Sequence, residues 1–378
     1  MPQTVEILPV QSGTSAEEEF IALPRRLYHG VEQFVPWFDR QMKAIIAGDH
    51  PFFEHSDGEF FIARRGADCV GRIALLNPRR YNELNQENAA RFYFFDTEND
   101  REISHALFSI AREWARSRGL ERIVGPQGFT SFSGAGILIH GFDRRASMTM
   151  MPYHHPYYRE LVEAEGFLPV QDFHSPYLEA SRHDLSPRYV RAAEIARKRG
   201  RFTSPPIRSK RELRSVAGEI RDAYNDAWQT RENYTPLTQS ELDQIVEDLL
   251  LVSKPSLIRV LRSRGELAGF ILAFPDLSEA MRKAGGRLGP LTYMRLMREK
   301  RRSRRFIING FGLRPDFRKS GGTALLFYEI TRALKEHRVL GAEMTQIAAD
   351  NDLMMSNVDK LNADVVKTHR VYGLRLDR

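Results

Sequence analysis

A basic loop that contains two glycines, Arg318–Thr323, constrains the fold of this chain more than any other sequence feature. A β-pattern over Phe306–Gly312 leads into the loop, and a helical pattern begins directly after it. A second strand pattern, Glu343–Ala348, then ends at Asp350-Asn351. Consecutive backbone N–H groups at a glycine-bearing helix start form a seat for an anion. The loop therefore predicts a phosphate-binding turn between a strand and a helix.

This order of strand, basic glycine loop, helix, strand and asparagine resembles motifs A and B of the GCN5-related N-acetyltransferase (GNAT) superfamily. The resemblance implies that the loop holds the pyrophosphate of coenzyme A, with contacts from Arg318, Lys319, Gly321, Gly322 and Thr323. The superfamily loop usually ends in glycine or alanine where this chain has Thr323. The alternative interpretation is that the loop is only a left-handed turn before a helix, with no ligand.

The resemblance also assigns the strand before the loop and the residues after the second strand. Backbone N–H groups of that splayed strand, at Phe311, Gly312 and Leu313, are expected to stabilise the oxyanion of the reaction. Asn351 is expected to contact the pantetheine, and it also suits the N-cap of the next helix. The superfamily often has an acidic tyrosine seven residues further on, where this chain has Val358. Water or another group, such as Tyr372 or a first-half residue, must then protonate the leaving thiolate.

The element order occurs twice along the chain. Each copy runs β, α, α, β, β, β, α, β, α, β, and the second begins with a strand pattern over Phe202–Ile207. A length of 378 residues suits two domains, and a polar segment with a proline between residues 180 and 187 suits their boundary. We therefore predict an α/β fold with mixed sheets, made of two tandem GNAT-like acyl-CoA N-acyltransferase domains at 1–181 and 182–378, here called the first and second halves.

The coenzyme A pattern occurs in the second half alone. The equivalent turn of the first half, Asp96–Glu102, has no glycine and is net acidic, so it would repel a pyrophosphate. Its carboxylates suit the positive end of a helix dipole instead. We expect the first half to be a degenerate copy that forms a wall of the acceptor site.

Candidate acceptor-site residues lie in two loops. His154 and His155 in the segment MPYHHPYY suit general-base work on an ammonium group, or they are ordinary histidines at the edge of the core. Tyr153 precedes them and is expected to contact substrate. Asn233 and Tyr234 lie between the two helices that cap the acceptor site in this fold, so they are candidate substrate contacts or part of a plain loop.

Composition limits the environment and the partners. One cysteine, Cys69, excludes an internal disulfide and suits a reducing cytoplasm, and the N-terminal segment shows no secretion signal. No apolar run is long enough to span a membrane. No His, Cys or carboxylate group has metal-ligand spacing, so we expect no metal. The net charge of +7 suits anionic partners.

A basic insert at residues 281–305 suggests one such partner. It has ten arginines and lysines against one acid, Glu299, and its apolar residues are Leu288, Leu291, Met294, Leu296 and Met297. Basic and apolar side chains together indicate contact with an anionic membrane surface, on its inner, cytoplasmic face. A solvated cover over the neighbouring strands is the alternative. Nucleic acid is disfavoured because few aromatic residues are interleaved.

Longer matching segments, such as HPFFEH, GPQGFTSF and AWQTRENYTPLT, resemble a bacterial group of tandem GNAT acyltransferases and, more loosely, bacterial ceramide synthases. The resemblance implies transfer of an acyl group from an acyl-CoA or acyl-carrier-protein thioester to an amine acceptor. A long-chain lipid amine such as a sphingoid base is the expected acceptor. The alternatives are an acetyl-CoA-dependent N-acetyltransferase of a small amine and a non-catalytic acyl-CoA or lipid-binding module.

Overall fold

A computed structural model describes residues 4–130, 132–182, 185–229, 234–318 and 320–377. The first half contains, in chain order, β1 (Val5–Pro9), α1 (Ser15–Leu27), α2 (Asp39–Ile46), β2 (Asp57–Arg65), β3 (Asp68–Asn77), α3 (Arg79–Asn85), β4 (Ala89–Thr97), α4 (Arg101–Ser117), β5 (Arg122–Gly125), β6 (Ile137–His140), α5 (Tyr157–Ala164) and β7 (Leu168–Glu179). The second half contains α6 (Pro187–Lys198), α7 (Lys210–Trp228), α8 (Gln239–Val252), β8 (Arg259–Ser263), β9 (Glu266–Pro275), α9 (Ser278–Ala284), α10 (Pro290–Arg302), β10 (Arg305–Leu313), α11 (Gly322–Glu336), β11 (Gly341–Met344), β12 (Ile347–Ala348), α12 (Asp352–Lys360) and β13 (Asp364–Arg375).

One mixed sheet runs through both halves. Its strand order is β1-β2-β3-β4-β5-β13-β7-β11-β10-β9-β8, with β6 on β13 and β12 on β7. The pairs β4–β5 and β10–β11 are parallel, and the other strand pairs are antiparallel. The last strand of each half pairs with the other half, because β13 lies against β5 and β7 lies against β11. The mixed α/β fold predicted from the sequence is thus confirmed, whereas the division at residue 181 stays a prediction.

The helices of the second half cover opposite faces of the sheet. Successive side chains of a strand point to opposite faces. Phe270 and Leu272 of β9 pack with α7 and α8, whereas Ile271 and Ala273 pack with α11. The side of the sheet that carries α11 and the predicted phosphate-binding turn is therefore different from the side covered by α7 and α8.

Two predicted features at the start of the second half differ from the structure. The expected strand Phe202–Ile207 is reduced to two isolated bridges, Thr203 to Arg262 and Pro206 to Arg259. Before it lies α6, which the sequence patterns did not predict. Its start has a recognisable signal, because Ser186 caps the N–H of Tyr189 and Pro187 occupies the first helical turn. Helix α6 packs on α11.

Candidate active site

The central feature of the candidate site is a gap between the parallel strands β10 and β11. Their last paired residues are Ile308 and Met344, and the N–H of Thr345 donates to the Ile308 carbonyl at 3.1 Å. Beyond this point β10 continues beside β9, with Phe311, Gly312 and Leu313 opposite Ile271, Phe270 and Gly269. In the described part of the chain, the β11 edge of these three residues has no strand partner. These three residues lie beside the gap, and their predicted oxyanion role stays a prediction.

A β-bulge at the gap turns β10 away from β11. Asn309 and Gly310 together lie opposite the single residue Leu272, since the register shifts between Ile308 and Phe311. Gly310 has a φ of +121°, which a residue with a side chain rarely adopts. Such bulges bend a strand and redirect its backbone groups, often beside active sites. The sequence pattern over Phe306–Gly312 predicted the strand but not the bulge.

The predicted anion seat lies where β10 passes into α11. Gly321 is the N-cap of α11 with a φ of +86°, and, having no side chain, it cannot satisfy the first N–H groups of the helix. A Cβ added at Gly321 would lie 3.0 Å from the Cβ of Ala196 on α6. The turn is therefore a helix N-terminus whose first N–H groups no side chain of the N-cap satisfies, which is the geometry that binds a phosphate.

The other predicted coenzyme A contacts surround this turn. Arg318 is exposed and its Nη2 donates to the Ala227 carbonyl at the end of α7, at 2.5 Å. Gly322 is buried at the helix start, Thr323 is half-buried, and Lys319 lies outside the described residues. Asn351 caps α12, because its side chain accepts a hydrogen bond from the N–H of Met354 at 3.3 Å. This bond supports the capping role for Asn351, and its pantetheine contact stays a prediction.

The corresponding turn of the first half has the opposite electrostatic character. Asp100 caps α4 by accepting from the N–H of Glu102 at 2.8 Å. The carboxylates of Asp100 and Glu102 pair with Arg65, at 2.9 and 2.8 Å respectively. At α4 a carboxylate of the chain itself therefore accepts from one of the first N–H groups, whereas at α11 the N-cap residue has no side chain that could do so. A pyrophosphate seat in the second half alone stays a prediction.

The first half nevertheless keeps the bulge. Phe94 and Phe95 lie opposite the single residue Ile73, and Phe94 has a φ of +46°. Beside this bulge is a cavity of about 60 Å³ with largely aromatic and aliphatic walls. Its polar groups include the buried pair Arg72–Asp96, at 2.7 Å, and the imidazole of His154. Tyr153 also lines this cavity, so the structure brings Tyr153 and His154 together, but in the first half.

The two histidines have different surroundings. The Nδ1 atom of His154 accepts from the N–H of Leu138 at 3.2 Å, so the neutral ring carries its proton on Nε2. Burial lowers the pKa of His154 to about 4. His154 is then a neutral donor near pH 7, which disfavours its predicted role as a base. His155 stacks between Tyr28 and Tyr157 and contacts the Leu27 carbonyl at 3.3 Å. The catalytic roles of both stay predictions.

Two other predicted residues lie away from the gap or outside the description. Tyr372 is buried on β13, and its hydroxyl donates to Glu163 at 3.1 Å. Two strands separate β13 from β10, which is roughly 14 Å at 4.8 Å per strand step. Protonation of a thiolate by Tyr372 stays a prediction that this position disfavours. Asn233 lies outside the described residues. Tyr234 bonds Asn225 at 2.5 Å near the end of α7, and burial raises its pKa.

A first-half segment that the site prediction missed reaches the gap. Gln346 follows β11, and its amide donates to the carbonyls of Ser133 and Met150 at 2.8 and 3.0 Å. Asn309 in the bulge contacts the sulfur of Met150 at 3.0 Å. The glycines around Ser133 are the signal for this close approach, since a Cβ added at Gly134 would lie 2.7 Å from the Met150 carbonyl oxygen. The first half thus forms one wall of the gap.

Comparison with known proteins places this geometry among solved structures. A tandem GNAT protein from the clavulanic acid biosynthesis pathway superposes with a TM-score of 0.58 over 99% of each chain, at 15% identity. The chain has the tandem GNAT fold. The predicted fold and its GNAT resemblance are confirmed, and no protein-family model matches the sequence.

Two curated relatives match over nearly the full chain. A bacterial ceramide synthase from Caulobacter vibrioides is 27% identical over 385 residues, which cover 97% of each protein. Protein YghO from Escherichia coli is 24% identical over 359 residues, or 93% of this chain and 91% of the relative. In the described ranges, no helix combines the length and apolar character that crossing a membrane requires.

Proposed function

We propose that the protein is an N-acyltransferase that takes its acyl group from an acyl-CoA thioester bound by the second half. The observation that carries the proposal is the gap beyond Ile308 and Met344, which has the bulge at Gly310 on one strand and is followed along the chain by the uncapped N-terminus of α11. A phosphate binds at such a helix start, and a thioester carbonyl fits beside backbone N–H groups without a strand partner. The similarity to tandem GNAT structures supports the same position.

The reaction is a direct transfer. The lone pair of a neutral amine attacks the thioester carbonyl carbon, so that a C–N bond forms and the C–S bond breaks. The coenzyme A thiolate leaves, and the proton lost by the amine returns to the medium or to the thiolate. The chain contributes position and the backbone dipoles of Phe311–Leu313, and such positioning supplies much of the rate in reactions of this kind.

The position in α12 where the superfamily often has a general-acid tyrosine carries no acidic side chain in this chain. Val358, at the expected position, is 1% exposed and packs in the core of the second half. This observation favours a second candidate function, an acyl-CoA-binding module without catalysis. The two candidates differ in one measurement, because the enzyme alone releases free thiol when an amine is present.

A long-chain amine is the acceptor that we propose, and the 27% identical ceramide synthase supports it. The exposed surface supports it further, since the large apolar side chains around α10 are 51–61% exposed, at Leu288, Leu291, Tyr293 and Met294. Exposed arginines accompany them on the same helix. Basic and apolar groups together suit a peripheral site on an anionic membrane. Leu296, predicted on the same apolar side, packs against the core instead.

The test is release of coenzyme A thiol from acetyl-, octanoyl- and hexadecanoyl-CoA in the presence of either a small amine or sphinganine. We expect release with sphinganine and one of the longer thioesters, and loss of release in Gly321→Glu. Release with acetyl-CoA and the small amine alone would identify a small-molecule N-acetyltransferase. Binding of acyl-CoA without release for any pair would identify the binding module.

A further inference from the structure

A second cavity lies between α7 and α8, the two helices that the GNAT resemblance expects to cap the acceptor site, and no ligand group has been assigned to it so far. It lies over β9, has a volume of about 30 Å³, and is closed on one side by Phe132 of the first half. Its walls are side chains of α7, α8 and β9, among them Ala217, Ile220, Val246, Leu249, Phe270 and Leu272. The cavity of the first half likewise lies between two helices, α1 and α2, but its lining also includes residues of the bulged strand β4.

The lining of this cavity is apolar. The charged residue in its wall, Arg221, directs its guanidinium to Asp222 at 2.8 Å and to Gln239 at 2.5 Å. Arg221 therefore contributes its methylene groups to the wall. The cavity of the first half differs, because it contains the ion pair Arg72–Asp96. A ligand group that enters the α7–α8 cavity must be apolar, since a polar group there would lose its hydrogen bonds to water.

The cavity adjoins the bulge of β10. A Cβ added at Gly310 would lie 2.9 Å from Cδ1 of Leu272, and one added at Gly312 would lie 2.6 Å from Cε1 of Phe270. The two glycines therefore allow the side chains that line the cavity to lie directly on the bulged backbone. A thioester carbonyl beside Gly310 would start its acyl chain next to Leu272.

We propose that the α7–α8 cavity receives the first methylenes of the acyl chain, so that the donor is a thioester longer than acetyl. This inference rests on the proposed function, because it takes the thioester to lie at the β10 bulge. One water-sized group needs about 10–15 Å³ of such volume, so the cavity accepts two or three methylenes. Two buried methylenes strengthen binding roughly fifteenfold.

The experiment compares binding of coenzyme A, acetyl-CoA and octanoyl-CoA by calorimetry. The wild-type protein is expected to bind octanoyl-CoA at least roughly tenfold more tightly than coenzyme A. Ala217→Phe fills the cavity from α7 and is expected to remove this difference, while the affinity for coenzyme A itself stays the same. Ser215→Phe adds the same ring at an exposed position of α7 and is the matched control.

Val246→Phe fills the cavity from α8 and repeats the test if Ala217→Phe does not fold. Equal affinity of the wild-type protein for coenzyme A and octanoyl-CoA would overturn the inference. So would an unchanged preference for octanoyl-CoA over coenzyme A in both Ala217→Phe and Val246→Phe. Absence of any coenzyme A binding would instead overturn the proposed function. Binding of dodecylamine to the wild-type and filled variants is measured in the same way. If the filled variants lose affinity for dodecylamine but still prefer octanoyl-CoA over coenzyme A, the cavity belongs to the acceptor and the donor assignment is refuted.

Discussion

Replacing Gly321 by glutamate tests the anion seat most directly. Gly321 caps α11 with a φ of +86°, and an added Cβ would meet the Cβ of Ala196 at 3.0 Å. Any side chain here therefore strains the backbone, and glutamate also introduces a negative charge at the place where the phosphates are expected. The two effects are separable, because Gly321→Ala carries the strain without the charge.

The magnitudes differ between the two variants. A non-glycine residue in the left-handed region costs about 1–2 kcal/mol of folding stability. A carboxylate about 5 Å from one phosphate charge, at an effective dielectric constant of about 20, adds roughly 3 kcal/mol of repulsion. Because 1.4 kcal/mol corresponds to about tenfold in affinity, Gly321→Glu is expected to weaken coenzyme A binding by about a hundredfold. Gly321→Ala is expected to lower the melting temperature with a change of only a few-fold in affinity.

Calorimetric titration with coenzyme A, together with a thermal melt of each variant, measures both effects. Asn99→Glu supplies the control in the first half, where the turn is already acidic and α4 is already capped by Asp100. We expect its affinity to match that of the wild-type protein. The seat would be wrongly placed if Gly321→Glu bound coenzyme A as Gly321→Ala does, or if Asn99→Glu lost binding to the same extent.

Three further predictions concern the acid, the membrane and pH. Val358→Tyr restores the hydroxyl that α12 lacks, so thiol release should rise several-fold at a packing cost of about 1–3 kcal/mol; unchanged release in the folded variant would show that no acid is limiting. Changing Arg298, Arg301 and Arg302 to glutamine should abolish co-sedimentation with anionic vesicles but leave coenzyme A affinity intact, and the reverse pattern would assign these arginines to the cofactor. Burial lowers the pKa values of His154 and His369 to about 4 and about 3, so between pH 6.5 and 4 only the unfolded chain takes up these protons. The free energy of unfolding should therefore be about 2 kcal/mol lower per histidine at pH 5 than at pH 7, and urea titrations at both pH values measure this decrease. In His154→Gln the decrease should be smaller by about 2 kcal/mol.

The sequence predicted those features that depend on local chemistry. The glycines at 321 and 322 marked a helix start, and short apolar runs marked β9 and β10, because both signals act within a few residues. The exchange of β7 and β13 between the halves was not predictable in this way. Both strands show the same local pattern whichever neighbour they pair with, and the partner is fixed by packing across the whole sheet.

The site residues show the same limit. His154 and Tyr153 were singled out by residue type, but their place beside the first-half cavity depends on where the segment 126–154 crosses the sheet. That segment contacts both cavities, since Phe132 closes the one between α7 and α8 and Tyr153 lines the other. Helix α6 was missed because its apolar side is mainly alanine, at Ala193 and Ala196, which gives a weak periodic signal.

The two halves share a bulge and differ in charge, and this contrast underlies the proposal that the second half binds the donor. In β4 the residue after the bulge is Asp96, paired with Arg72, whereas its counterpart in β10 is Phe311, which stacks on Phe327 of α11 at 5.2 Å. The register makes these positions equivalent, because each is the first paired residue beyond the bulge. The capped, acidic turn at α4 opposes the phosphates of an acyl-CoA in the first half, because carboxylates already lie at that helix start. The uncapped start of α11 and the apolar cavity both belong to the second half, so the proposed donor site and the proposed pocket for its acyl chain are tested in the same half.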